Sequence, residues 1–162
     1  MAIKTNFIND RILYYGEDLN RQFSSIVGTN GRVDYKADLI VKQAPTPSMD
    51  IQITSGACYF NGMYTYSDSL EVLSVVNNNT TLDRIDSVVL EYELGTGFTF
   101  FNIVQGLPSV YPTAPELTPL QYKLADVVVK KGTLVITDSD ITNVEDSVFM
   151  TEDDVNEILS LL

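Results

Sequence analysis

The chain predicts a mainly β protein, an antiparallel β-sandwich or flattened barrel with a helix before it and a short helix after it. Three observations carry that expectation. From Asp86 onward, residues 84–94 alternate, with Val88, Leu90, Tyr92 and Leu94 on one face and Ser87, Glu91 and Glu93 on the other. A period of two rich in β-branched and aromatic residues is the pattern of a half-buried strand. Asn61-Gly62 stands between two apolar runs, and both residues tolerate the positive φ of a type I′ hairpin turn. About nine short runs of this kind recur along the chain, separated by Gly, Pro and Asn signals.

Taken in order, the first strong pattern is helical. Leu19, Phe23, Ile26 and Val27 fall on one stripe, Glu17 and Asp18 sit where a helix dipole favours acids, and Gly28 suits the terminating position. This predicts a helix over 17–27 within an N-terminal arm, residues 1–30. The β domain then spans 31–145. Its expected strands are Val33–Val41 with a bend, Met49–Ile53, Ala57–Phe60, Met63–Tyr66 and Leu70–Val76. A hairpin over 84–104, Tyr122–Val129 and a short Leu134–Thr137 complete the set. Pro45 and Pro47 break the first part, and Pro108, Pro112, Pro115 and Pro119 make 106–119 an irregular surface connection. In the tail, 146–162, Thr151 precedes Glu152, Asp153 and Asp154 as a helix start.

Composition narrows the function. At 162 residues and net charge −12, one acidic domain is expected, with no affinity for nucleic acid or an anionic membrane surface. No apolar run is long enough for a bilayer span and no signal-like segment opens the chain, so synthesis in a cytoplasm is expected. Cys58 is the single cysteine, which leaves no internal disulfide; flanked by Ala57 and Tyr59, it reads as a buried thiol. Histidine is absent, which removes imidazole-based triads and metal sites.

Candidate chemistry is sparse. Asp138-Ser139-Asp140 begins like a calcium loop, but Asn143 and Phe149 stand where the pattern needs a glycine and a bidentate acid. It reads instead as a turn with solvated acids. Glu91 and Glu93 share a strand face and could flank a glycosidic bond, yet they are more simply solvent-side residues. The many aromatic residues include Tyr64 and Tyr66, which could stack on sugars or fill a protein interface. Phe98 and Phe100 are expected in the core. Arg84 and Asp86, two apart at the head of the central strand, point the same way and are expected to form a structural clamp that closes one end of the sheet. Asn78-Asn79-Thr80 matches a glycosylation acceptor and reads as a polar turn. No catalytic, cofactor-binding or metal-binding residue is assigned.

A set of short motifs then runs in order through most of the chain. Tyr15-Gly16-Glu17-Asp18-Leu19 leads to Val27-Gly28-Thr29-Asn30-Gly31. Met49 to Ala57 continues to Asn61-Gly62, and Arg84-Ile85-Asp86-Ser87-Val88-Val89-Leu90 follows. Next come Gly106-Leu107-Pro108, Ala114-Pro115-Glu116-Leu117, Lys123-Leu124-Ala125-Asp126-Val127 and Ile136 to Thr142. Together they resemble tail-tip or baseplate structural proteins of long-tailed phages of Gram-positive bacteria, and the shoulder domain of lactococcal phage receptor-binding proteins in particular. The chain departs from that pattern at Asn143-Val144-Glu145, where such proteins often carry an Asp-x-Arg element. The resemblance implies a non-enzymatic virion protein of the phage tail tip that acts by protein–protein assembly. Its expected partners are other tail or baseplate proteins and further copies of itself, as a trimer or hexamer. Leu19, Phe23, Ile26, Val27 and Tyr111 are the expected interface residues. The alternatives are a carbohydrate-binding adsorption module that contacts cell-wall polysaccharide and a histidine-free glycosidase.

Overall fold

Among the described residues, 30–34, 36–94 and 96–146, the computed structural model contains ten short strands. They are β1 Gly31–Arg32, β2 Val41–Gln43, β3 Asp50–Ile53, β4 Gly56–Phe60, β5 Met63–Ser67 and β6 Glu71–Ser74, then β7 Arg84–Tyr92, β8 Thr99–Val104, β9 Gln121–Val129 and β10 Ile141–Asn143. All pairings are antiparallel, so the described fold is mainly antiparallel β. They form three sheets, ordered β1-β4-β5, β10-β9-β7-β8 and β2-β3-β6. Among the described residues no sheet closes on itself, which corrects the barrel alternative. The expected helix over 17–27, with Leu19, Phe23, Ile26 and Val27, and the helix starting at Thr151 lie outside the described residues.

One apolar core joins the three sheets. Val41, Ile51 and Ile53 come from the small sheet of β2, β3 and β6. Cys58 and Phe60 come from β4; Val88, Leu90, Tyr122, Leu124, Val127 and Val129 come from β7 and β9. Strand β9 breaks strict alternation in its burial, and a bulge explains how. Val88 pairs with Ala125 but Val89 pairs with Lys123, so Leu124 is the extra residue. Tyr122 and Leu124 before the slip, and Ala125, Val127 and Val129 after it, therefore all reach the same core.

Several sequence expectations are corrected by local chemistry. Residues 33–41 are not one bent strand. The amides of Ala37 and Asp38 donate to the Asp34 carbonyl, closing a turn, and Leu39 takes a positive φ of 52° to enter β2. Residues 134–137 form no strand. Ile136 instead docks singly, its N–H on the Ser48 carbonyl at 2.9 Å and its side chain in the core. The strand comes just after, as β10. The Asp138–Asp140 segment is a 3-10 turn, and Asp140 is buried rather than solvated. It accepts from Lys130 Nζ at 2.5 Å and from Thr137 Oγ1 at 2.6 Å. Ser87, expected on the wet face of β7, is fully buried and donates to Asp126 at 2.6 Å. Strand β7 is thus buried on both faces through its middle. Asn78 is also fully buried. Its amide donates to the Leu82 and Val129 carbonyls, both at 2.9 Å, and its Oδ1 accepts from Thr80.

Candidate functional site

An open concavity follows directly from the Asn61-Gly62 turn. Asn61 and Gly62 adopt φ of 50° and 77°, as a two-residue hairpin of this type needs, and they set β4 against β5 with Tyr59 opposite Tyr64. The pleat then sends Tyr64 and Tyr66 the same way. Their rings stack with centroids 6.1 Å apart, and Tyr59 leans on Tyr64 at 5.2 Å. Across from them stand Tyr92, Phe98 and Thr99, around a groove of about 700 Å³. A second groove of about 400 Å³ continues it between Thr65, Tyr66 and Ser67 of β5 and Thr99, Phe100 and Phe101 of β8. Phe98 is 71% exposed and Phe100 43%, which corrects their expected place in the core. The reason lies in the pleat: Phe101 and Ile103 turn to the core, so Phe100 turns away from it. Strand β8 is also an edge of its sheet, hydrogen-bonded to β7 alone and approached by β6 of the small sheet near Phe101–Ile103.

Arg84 and Asp86 lie elsewhere, at the head of β7, and both are about 1% exposed. Arg84 Nε donates to both carboxylate oxygens, at 2.9 and 3.2 Å, and one terminal nitrogen adds a bond of 3.0 Å. The guanidinium also holds the carbonyls of Val76 and Asn77. Asp86 Oδ1 accepts the Gly106 N–H at 3.0 Å. The pair therefore ties β7 both to the loop after β6 and to the start of the proline-rich connection. Gly106 fits only because it lacks a side chain, since a Cβ there would lie 1.9 Å from the Ile85 carbonyl oxygen.

The connection itself is pinned at both ends. Ser109 N–H donates to the Asp83 carbonyl at 3.0 Å, and Asn61 Nδ2 donates to the Pro119 carbonyl at 2.8 Å. Between these anchors Val110 and Tyr111 are 70% and 85% exposed, and Leu107, between Ser109 and the Gly106 N–H held by Asp86, is 83% exposed. Leu19, Phe23, Ile26 and Val27, the other expected interface residues, lie outside the described residues, so the structure brings none of them to Tyr111.

Sequence reasoning passed over Arg32. It is fully buried and donates to the Leu124 carbonyl at 2.6 Å, to the Leu39 carbonyl at 3.4 Å and to the Val144 carbonyl. Burial lowers its pKa below the ordinary value, against the raising influence of Tyr122 and Asp146. The same corner fastens the end of the described chain. Asn143 exchanges two hydrogen bonds with the Val41 backbone, at 2.8 and 2.9 Å, and the Tyr122 hydroxyl donates to Asp146 at 2.5 Å. Nothing in a two-residue strand marks an arginine as buried; two of its three carbonyl partners, Leu124 and Val144, lie 92 and 112 residues away in sequence.

Glu91 accepts amide hydrogens from Asn102 at 2.9 Å and Gln121 at 3.0 Å, and these two bonds hold its carboxyl below the usual range. That favours the carboxylate form, which suits the nucleophile or base of a glycosidase pair and not its acid. Glu93 is engaged separately, by Thr96 Oγ1 at 2.6 Å. Among the described residues no three acidic or thiol side chains gather as a metal site would need. Burial pushes the Cys58 thiol up to about 12. Among the described residues no helix is long and apolar enough to cross a membrane. Compared with protein families, curated proteins and solved structures, the chain matches none.

Proposed function

We propose that this chain is a non-enzymatic structural protein of a phage virion, placed in the distal tail or baseplate, where a shoulder-like β-sandwich acts by protein–protein assembly. The observation that carries the reading is the apolar surface of Leu107, Val110 and Tyr111. It is held out by a connection whose two ends are hydrogen-bonded to the body of the fold. Exposed apolar side chains on a pre-ordered backbone lose little freedom when a partner covers them. The acidic surface adds solubility before assembly and favours a basic neighbour. The ordered motifs from Tyr15 to Thr142 supply the tail-protein identity, and other tail proteins or further copies of the chain are the partners it implies. Immuno-electron microscopy of purified virions tests this: label confined to the tail tip is expected, and absence of the protein from the particle refutes it.

A second reading has its own observation. The Tyr64–Tyr66 stack presents aromatic faces beside an open groove, the arrangement on which sugar rings pack. It would make the protein an adsorption module for cell-wall polysaccharide. Under it, Tyr64→Ala and Tyr66→Ala abolish wall binding; unchanged binding removes the reading.

A further inference from the structure

Two sheet edges face each other across the aromatic groove, and neither carries the usual protection. Strand β5 is the outer strand of β1-β4-β5, and β8 is the outer strand of β10-β9-β7-β8. Exposed edges are ordinarily blunted by charge, proline or a bulge. Here β5 reads Met-Tyr-Thr-Tyr-Ser and β8 reads Thr-Phe-Phe-Asn-Ile-Val, with no charged residue and no proline in either. The only described register slip lies between β7 and β9, on the far side from this edge.

The ladders fix which backbone groups face the gap. Phe60 and Met63 flank the two-residue turn as a hydrogen-bonded pair, so the bonded residues of β5 alternate from Met63, and Tyr64 and Tyr66 turn their N–H and C=O outward. In the other sheet Glu93 N–H donates to the Phe98 carbonyl. Phe100 and Asn102 then bond to β7, while Thr99, Phe101 and Ile103 face outward. Ile103 N–H is already taken, by the Asn102 side chain at 2.8 Å. That leaves two outward pairs, Tyr64 with Tyr66 and Thr99 with Phe101, each spaced two residues apart.

The two edges also run the same way. One end of the groove is lined by Met63 and Tyr64 with Gly97 and Phe98, and the other by Ser67 with Phe100 and Phe101. A strand entering in the opposite sense is therefore antiparallel to both edges at once. It would unite the two sheets in the order β1-β4-β5-guest-β8-β7-β9-β10. Among the described residues Glu71, from β6, is the only charged side chain in the lining, and the chain carries a net charge of −12. The guest that complements this is polypeptide with lysine or arginine, its apolar side chains meeting Tyr66 and Phe100.

We propose that the groove between β5 and β8 is a strand-acceptor site, which takes an extended basic segment of a partner protein and thereby joins two sheets into one. The proposal rests on the assembly reading and specifies its mode of contact. The probe is a fluorescein-labelled ten-residue peptide of alternating valine and threonine with lysine at each end, titrated into the full chain and followed by anisotropy. Binding with Kd on the order of 100 μM is expected. Methylation of alternate peptide nitrogens, which leaves the protein untouched, is expected to weaken it roughly tenfold or more. Tyr66→Pro and Thr99→Pro remove only outward donors, as an edge strand permits, and are expected to do the same with native circular dichroism retained.

Absence of binding at about 1 mM peptide, or equal binding of the methylated peptide, overturns the proposal. So does capture of a neutral oligosaccharide that displaces the peptide and is indifferent to Thr99→Pro. Amide exchange of the free full chain supplies the last arm. Rapid exchange at Tyr64, Tyr66, Thr99 and Phe101 is expected. Protection in the monomer would mean that the chain fills its own groove, and protection only in a concentration-dependent dimer would mean that a second copy does; either outcome overturns the partner assignment. Absence of the protein from virions would refute the tail reading while leaving the peptide result standing.

Discussion

Replacing Asp86 with alanine withdraws three charge-assisted hydrogen bonds from Arg84 and the acceptor of the Gly106 amide in one step. Were the pair exposed, its loss would cost only about 0.2–1 kcal/mol. It is not exposed: side-chain exposure is 2% for Arg84 and 1% for Asp86. Removing one member leaves the guanidinium buried with only the Val76 and Asn77 carbonyls for company, and stranded charges of this kind cost about 3–5 kcal/mol. The orphaned Gly106 N–H adds about 1 kcal/mol. For a chain of this size such a loss lowers the melting temperature by about 10 °C. The chain has no tryptophan, so urea and thermal unfolding are best followed by far-ultraviolet circular dichroism or tyrosine fluorescence. The double variant Arg84→Met with Asp86→Ala tests the cause, because deleting both charges restores much of what one deletion removes. An Asp86→Ala protein that melts within about 2 °C of wild type refutes the clamp. So does a double variant whose loss equals the sum of the single losses.

Arg32→Lys keeps the charge but loses the planar fork that spans Leu39, Leu124 and Val144. It is expected to destabilise by about 2–3 kcal/mol and to speed amide exchange at Val144, and an unchanged exchange rate there would count against Arg32 as the fastening of that segment. Cys58 is fully buried with its thiol pushed up to about 12, so aromatic disulfide reagents should label it only at the rate of unfolding; labelling as fast as a free thiol would contradict its burial. Burial alone would raise the Asp140 carboxyl, but the bonds from Lys130 and Thr137 outweigh it and hold the group below its usual value. Its stabilising effect is then present above the unfolded pKa, about 4, and is lost as pH falls through the lower folded value. Asp140→Asn should therefore melt lower at neutral pH and show a shallower acid decline, and two parallel curves would refute this.

Much of the β architecture was legible along the chain because it rests on local patterns. The Asn61-Gly62 turn, the alternation of Met49–Ile53 and the long apolar run of Tyr122–Val129 each carry their signal within a few residues. Where the strands stand relative to one another was not legible. Phe98 and Phe100 look like core residues by spacing and composition, and they are surface residues because the alternate set, Phe101 and Ile103, is the one that packs on the core. Ser87, Asn78 and Asp140 look like solvent residues and are buried, because Asp126, the Leu82 and Val129 carbonyls and Lys130 come to meet them. Arg32 gave no signal at all.

The sequence by itself determined the fold class, the turns and the charged pair at the head of β7, since these follow from backbone preferences and from side chains two residues apart. Only the tertiary structure decided that β5 and β8, outer strands of two different sheets, line one aromatic groove. That arrangement depends on sheet order, which arises from contacts distant in the chain and leaves no periodic trace in the residues that make the groove.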